Sequence, residues 1–494
     1  MLKPNPISGP CLPLAITLTL SGCTVLGPHY HRPDIPPPQA WTATTAQNSA
    51  PASGASASIS PTADAAAMVI PDRWPARDWW AGFKSPELDE LMRQAEAAND
   101  DLAAAMARVQ QADAQVRIAG APLLPSLQAE AIPQRSRQFL AISSTPSTVT
   151  YNSFTAQLAA SYQLDFWGRN YDLRQAAVAS ARASRFDRET VRLTVLSSVA
   201  TTYFTALTLR ERIEIAERDL AAARQTLDGL KLERSVGTAT ALDVAQQETV
   251  VNTEDATIPA LRAQLQQNVT ALAILTGRRP EELTRLTGQL ADLGAPEVVA
   301  GLPSQLLARR PDVANAESQL IAANANVAAA RAAFFPSINL TASGGFESAA
   351  LSTLVSPATR IMSIGADLVQ PIFQGGALKG QYQLNKARYT ELLADYHKAV
   401  ISAFGNVETA LTQVQETREQ QRRQQLAAQT ASQANDFAQK QFHAGTVNIL
   451  NVLNTETSML TTEDTLAQVK LAHLTALVSL YQALGGGWEA KQEP

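Results

Sequence analysis

The chain has 494 residues, of which 17% are charged and 45% hydrophobic, and its net charge is −5. A nucleic-acid binder would carry a basic excess and a disordered chain would be poorer in apolar residues, so both classes are excluded. No stretch after Cys23 supplies the ~20 consecutive apolar residues a transmembrane helix needs, so any crossing of a bilayer by the mature chain must be made by strands.

The first residues, "MLKPNPISGPCLPLAITLTLSGC", place a cation at Lys3, an apolar core from Leu12 to Leu20 and small residues before Cys23. This is the layout of a secretory signal spanning 1–22. Leu20-Ser21-Gly22-Cys23 also reads as a bacterial lipobox, with cleavage before Cys23 and acylation of its thiol by diacylglycerol and an N-acyl chain. The competing reading is a plain signal peptide followed by an incidental cysteine. A lone free thiol in an oxidising compartment is a liability, which favours lipidation. Lipid on Cys23 would hold the chain at a membrane surface, each buried methylene contributing about 0.8 kcal/mol. Residues 23–72 then form a leash and linker: 42–71 is Ala, Ser, Thr and Pro with almost no charge, and cannot build a core. The folded part is expected to begin near "RWPARDWWAGFKSPELDELM", where Trp79, Trp80, Phe83, Leu88 and Leu91 offer apolar anchors.

An internal repeat then appears at a separation of about 210 residues. "QQADAQVRIAGAPLLPSLQAEA" (110–131) matches "IAANANVAAARAAFFPSINLTA" (321–342), pairing Pro125 with Pro336. "LDFWGR" (164–169) matches "PIFQGG" (371–376), pairing Gly168 with Gly375. "SVGTATALDVAQQET" (235–249) matches "HAGTVNILNVLNTET" (443–457), pairing Gly237 with Gly445 and Glu248 with Glu456. Three matches in one order imply a duplicated unit, 73–290 and 291–487, followed by a short tail, 488–494.

Each unit has the same grammar. An Ala-rich helix (102–121, 313–333) ends at a proline, and the hydrophobic period then changes from about 3.6 to 2. In the strands Ile338, Leu340, Ala342 and Phe346 alternate with Ser337, Asn339, Thr341 and Glu347. Phe154, Leu158, Tyr162, Leu164 and Phe166 likewise oppose Thr155, Gln157, Ser161, Gln163 and Asp165, and Met362, Ile364 and Leu368 oppose Ser363 and Asp367. One apolar and one polar face over about 10 residues suits a membrane barrel; a soluble sandwich is the alternative. Four strands cannot close a barrel, and open edges in lipid are prohibitive, so several chains must share one.

Proline is then absent from 147–258 and from 372–493. Leu393, Tyr396, Val400, Phe404, Val407, Leu411 and Val414 recur at spacings of three and four, as a long helix with a narrow seam requires. The wholly polar "ETREQQRRQQ" (416–425) is the expected place for the chain to turn or to pass outside its neighbours. The helix is expected to return through Ala467, Leu471, Leu474, Val478 and Tyr481.

Enzyme signals are missing. His29, His31, His397, His443 and His473 have no metal-ligand spacing beyond the leash pair. "QGGALKG" (374–380) lacks the phosphate-loop pattern, and no serine sits in a nucleophile elbow. No cofactor other than the lipid is expected. Pro125 and Pro336 read as punctuation between helix and strand, and Gly237 and Gly445 as residues that close or re-aim a helix.

These residues resemble the TolC-like outer-membrane factors, in particular the lipidated NodT-type members of efflux pumps of the resistance-nodulation-division class. The most specific segments are 306–345, 79–109, "GPHYHRPDIPPPQAW" behind Cys23, and "LYQALGGGW" (480–488). The resemblance implies an α/β membrane protein: a homotrimeric 12-stranded transmembrane β-barrel, four strands per chain, continued by a long periplasmic α-helical barrel. It implies a non-enzymatic exit duct in the outer membrane, with a periplasmic membrane-fusion adaptor, an inner-membrane transporter and outer-membrane lipid as partners and no nucleic acid. Drugs or other small toxic solutes would be the cargo. A duct for type I protein secretion and a non-pore scaffold lipoprotein are the alternatives. Asp436, nine residues before Gly445, falls at a family pore-constriction position, and Asp228 holds the same place before Gly237. Both could equally be solvated helix-face charges, and the neutral Gln433 replaces a second acidic residue one turn earlier.

Overall fold

A computed structural model describes residues 30–38, 41, 74–140, 147–283, 285–298, 301 and 303–488. Cys23, the signal segment and residues 42–71 of the linker lie outside the described residues, as does all of the tail beyond Trp488. Eight long or short α-helices and four strands follow in chain order among the described residues: α1 (Pro86–Ala98), α2 (Asp100–Gly120), β1 (Ser126–Leu140), β2 (Ser147–Leu164), α3 (Arg169–Ser235), α4 (Ala241–Leu275), α5 (Pro303–Arg309), α6 (Pro311–Ala332), β3 (Ser337–Ser348), β4 (Arg360–Val369), α7 (Ala377–His443) and α8 (Ile449–Ala483). No helix among the described residues is long and apolar enough to cross a membrane. The described residues divide into two compact units, one holding those within 119–174 and 325–385, the other those within 30–118, 175–324 and 386–488.

The first unit is built on one antiparallel sheet in the order β1-β2-β3-β4. Its register places Leu127 opposite Ala160, Leu158 opposite Gly344 and Ala342 opposite Ile364, so these residues share one face. Glu130 lies opposite Gln157 and Asn339 opposite Asp367, on the other. β1 and β4 each pair on one side only within the chain. β2 ends at Leu164, two residues before the expected Phe166, because Asp165 turns to cap the next helix. Its carboxylate accepts the Asn170 N–H at 3.0 Å and the Tyr171 N–H at 2.7 Å, where the helix dipole favours negative charge. Trp167 stacks on Phe335 at 4.9 Å, and its indole N–H donates to the Pro336 carbonyl at 2.8 Å. This pins the end of one repeat's strand pair to the start of the other's.

The second unit buries its core between long helices. On α3, Ile213, Ala216, Leu220, Ala223, Leu227 and Leu230 alternate spacings of three and four and are all buried. On α7, Tyr396, Val400, Ala403, Val407 and Ala410 do the same. A period of 3.5 keeps such a seam facing its partners along the full helix. Elsewhere Trp79 stacks on Tyr481 at 5.0 Å and Phe83 packs on Phe204 at 4.9 Å, joining the start of the first repeat to α3 and α8.

Two sequence expectations are corrected here. Residues 416–425 do not turn the chain, because α7 runs unbroken from Ala377 to His443. Glu419 reaches Arg422 and Arg423 one turn later at 2.8 and 2.7 Å, and such spacings support a helix that is polar all round. The folded part also starts before Trp74. Trp41 is buried against Phe404 and donates to the Gly301 carbonyl at 2.9 Å, while Arg32 pairs with Glu317 at 3.0 Å. This strap forms neither helix nor strand, so it has no periodicity to betray it.

Candidate functional site

The sheet separates its charges completely. The acidic residues of the described strands, Glu130, Glu347 and Asp367, all lie on the polar face, and the basic ones, Arg135, Arg137 and Arg360, all lie on the other. On the polar face Gln157 donates to Glu130 at 3.0 Å and Ser153 to Glu347 at 3.2 Å. The opposite face carries Leu127, Leu158, Met362, Ile364 and Leu368, all exposed among the described residues; Met362 and Ile364 are 81% and 83% exposed. A soluble sheet buries its apolar face and wets its polar one, whereas here the apolar face is bare. That arrangement fits lipid outside and water inside. The three arginines lie toward the strand ends remote from the helices, where long basic side chains reach headgroups.

The four turns of the two repeats are built from left-handed glycines. Gly168 (φ 78°) and Gly375 (φ 60°) lead from strand to helix, and Gly237 (φ 85°) and Gly445 (φ 71°) end α3 and α7. At the helix ends the hydrogen bonds repeat atom for atom. The Gly237 N–H bonds the Arg234 carbonyl at 3.1 Å and the Thr238 N–H bonds the Glu233 carbonyl at 2.9 Å. In the second repeat Gly445 bonds Phe442 at 2.9 Å and Thr446 bonds Gln441 at 3.0 Å. Both are Schellman endings, which need a residue with positive φ at that point. The returning helices start alike, with Thr240 and Asn448 accepting the N–H three residues on. α3 with α4 and α7 with α8 are thus two equivalent helical hairpins.

Asp228 and Asp436 sit at matching places near these tips, both exposed, on α3 and α7. Asp436 is ion-paired with Lys440 one turn later, while Asp228 has no hydrogen bond or ion pair among the described residues. Among the described residues no hydrogen bond or ion pair joins the two. Pro125 and Pro336 stand immediately before β1 and β3, as expected of stops between helix and strand.

Other polar groups, invisible in the sequence, are enclosed by helices. Burial pushes Glu87 up, but four donors outweigh it and hold it below the usual carboxylate range. These are the N–H groups of Thr287 and Gly288, both at 2.8 Å, and the hydroxyls of Tyr203 (2.9 Å) and Thr287 (3.1 Å). Arg210 fixes the same loop through the carbonyls of Leu286 and Gly288. Asp172 has no such help. Burial, and then the neighbouring Asp165, raise its pKa to about 6. Between the hairpins Asp219, Glu254 and Glu456 are each raised, by burial first: Arg218 opposes at Asp219 while Glu463 adds to the rise, Asp219 and Asp464 add at Glu254, and at Glu456 the hydrogen bond from Gln247 opposes while Asp219 and Glu254 add.

The family described as outer membrane efflux protein matches residues 91–278 and 302–486, once in each repeat. The chain is 37% identical to the pyoverdine export outer membrane protein OpmQ of Pseudomonas putida, over 97% of each chain. It is 40% identical to the OpmQ protein of Pseudomonas aeruginosa, over 84% of this chain and 89% of that one. In fold it is similar to the Campylobacter jejuni CmeC outer membrane channel, with a TM-score of 0.84 and 24% identity, covering 95% of this chain and 96% of that one. The fold class expected from the sequence therefore holds: a trimeric 12-stranded barrel with four strands from each chain, a helical barrel, and an internal duplication.

Proposed function

Because the chain belongs to the outer membrane efflux protein family, and is an outer-membrane channel of efflux, we propose that it is the passive exit duct of a tripartite system of the resistance-nodulation-division class. An inner-membrane transporter supplies the energy and a periplasmic adaptor joins it to the helical hairpin tips. Three chains supply the wall, and no chemistry is performed on the cargo. Both relatives named above are named for export of pyoverdine, so the cargo proposed is a small solute rather than a polypeptide. Lipid on Cys23 adds an anchor, and Asp436 with Asp228 narrows the periplasmic end.

The carrying observation is the inverted sheet, apolar where it is bare and polar on its other face, with edges that only neighbouring chains can pair. The test is reconstitution of the detergent-extracted protein in a planar bilayer, with native mass spectrometry on the same sample. The expected outcome is three chains, each carrying lipid mass on the polypeptide from Cys23 to Pro494, and ohmic or gated conductance. A monomer that never conducts would sink the duct and restore the scaffold reading.

A further inference from the structure

Among the buried polar atoms left without a partner in the described residues, two belong to side chains that bond each other, Gln247 and Glu456. Glu456 on α8 is 3% exposed, and Gln247 on α4 is wholly enclosed. The Gln247 amide N–H donates to the Ala223 carbonyl of α3 at 3.0 Å, and the same side chain bonds Glu456. Glu456 Oε2 and Gln247 Oε1 are nevertheless both buried without a partner. Each is an acceptor when Glu456 is ionised, so no rotation lets one serve the other. Exchanging the two ends of the amide moves the problem, since an oxygen would then face the Ala223 carbonyl. One proton on Glu456 turns an acceptor into a donor and can satisfy both atoms.

The surroundings supply no positive charge to hold Glu456 as an ion. From α3 come Asp219 and Arg218, but Arg218 is committed to Asp219 at 3.2 Å and to Glu463. From α4 comes Glu254, and α8 itself adds Glu463 and Asp464, the latter paired with Arg212. α7 contributes the neutral Asn435, which accepts the Thr455 hydroxyl at 3.2 Å. Nor is the place built for a metal, since among the described residues no group of three or more His, Cys, Asp or Glu could hold one. The duplication provides a contrast. Glu248, the equivalent of Glu456 in the first repeat, is exposed and ion-paired with Lys231 at 3.2 Å.

We propose that Glu456 and Gln247 form a buried proton-binding site, in which Glu456 is a neutral acid at neutral pH and fastens the first helical hairpin to the second. An unpaired buried acceptor is costly, so losing this proton leaves two such atoms in the seam between α4 and α8 and loosens it. The site acts as a pH-sensitive fastening in the helical wall, whatever solute the duct carries.

Glu456→Gln tests this directly, because an amide places an N–H where the acid places its O–H and so mimics the protonated form at every pH. The thermal unfolding midpoints of the full-length wild type and the variant are compared from about pH 5 to about pH 9. Wild type is expected to lose midpoint as pH climbs, while Glu456→Gln loses less and stands several degrees above it at the alkaline end. A variant below wild type throughout, with the same slope, overturns the proposal. So does an alkaline midpoint restored by added potassium or calcium, which would put a cation where the proton is assigned. Should the variant fail to accumulate, infrared spectroscopy of the wild type decides. A neutral carboxyl stretch at about pH 7 that shifts in Gln247→Leu supports the site, and its absence overturns it.

Discussion

Asp172 and Glu87 are both carboxylates at helix starts and differ only in what surrounds them. Glu87 is ringed by donors and stays ionised, so its contribution is present above its ordinary range and is lost as pH falls through its lowered value. Asp172 is 6% exposed, its Oδ2 has no partner, and its pKa stands near 6. The sign is therefore opposite: between the ordinary value and about 6 the native state holds the extra proton, and stability falls as pH rises through that window. Asp172→Asn removes the charge, and is expected to gain about 1–3 kcal/mol at alkaline pH and nothing in strong acid, read from unfolding midpoints at both. A variant equally unstable at both would show that Asp172 is needed for packing. Such fates were not legible in the sequence. Glu248 and Glu456 occupy one repeat position, yet one meets Lys231 and water while the other meets Gln247, a partner 209 residues away in a different helix. Local pattern carries no trace of that difference.

At the scale of elements the sequence was more informative, because period and turn chemistry are local. The alternation of Ile338, Leu340 and Ala342 with Asn339 and Thr341 gave the sheet its two faces, and those faces survive in the register. Gly237 and Gly445 read from the sequence as residues that close or re-aim a helix, and both take a positive φ at the ends of α3 and α7. The turn offered at 416–425, as the alternative to a helix passing outside its neighbours, is absent for a plain reason: an all-polar run shows its helix only when its charges are checked at helical spacing, where Glu419 meets Arg422 and Arg423. The glycine assignment can be weighed. A Cβ at Gly445 would meet nothing within 4 Å, so Gly445→Ala tests backbone strain alone. Holding a non-glycine residue left-handed costs about 1–2 kcal/mol. The expected result is faster hydrogen exchange at the Gly445 and Thr446 amides with little change in the global midpoint, since strain at an exposed tip opens it locally. Unchanged exchange would mean that the turn is held by contacts other than its own.

For the whole molecule the charge partition has a consequence that no single residue predicts. Each chain places Glu130, Glu347 and Asp367 on the polar face and no lysine or arginine there among the described strands. In a closed trimer these carboxylates line the lumen in three copies each, inside a low-dielectric wall that concentrates their field. Cations should enter more readily than anions of equal size, in addition to any effect of Asp228 and Asp436 at the tips. The two sources separate by mutation. Neutralising the lumen with Glu130→Gln, Glu347→Gln and Asp367→Asn should move the reversal potential under a potassium chloride gradient toward zero, lowering the cation-to-anion permeability ratio several-fold and leaving unit conductance nearly intact. On the proposed constriction at the tips, Asp436→Ala should instead raise leak conductance or weaken block by multivalent cations applied from the periplasmic side, because a constriction would act on every ion in series. Lys440 already neutralises part of Asp436, so the doubled change Asp228→Ala with Asp436→Ala should act more strongly than either alone. If the lumen triple leaves selectivity untouched while the tip pair abolishes it, the barrel is a wide passive mouth and the helical tips hold all the discrimination. If the order is reversed, the two aspartates are surface charges and the strands set the preference.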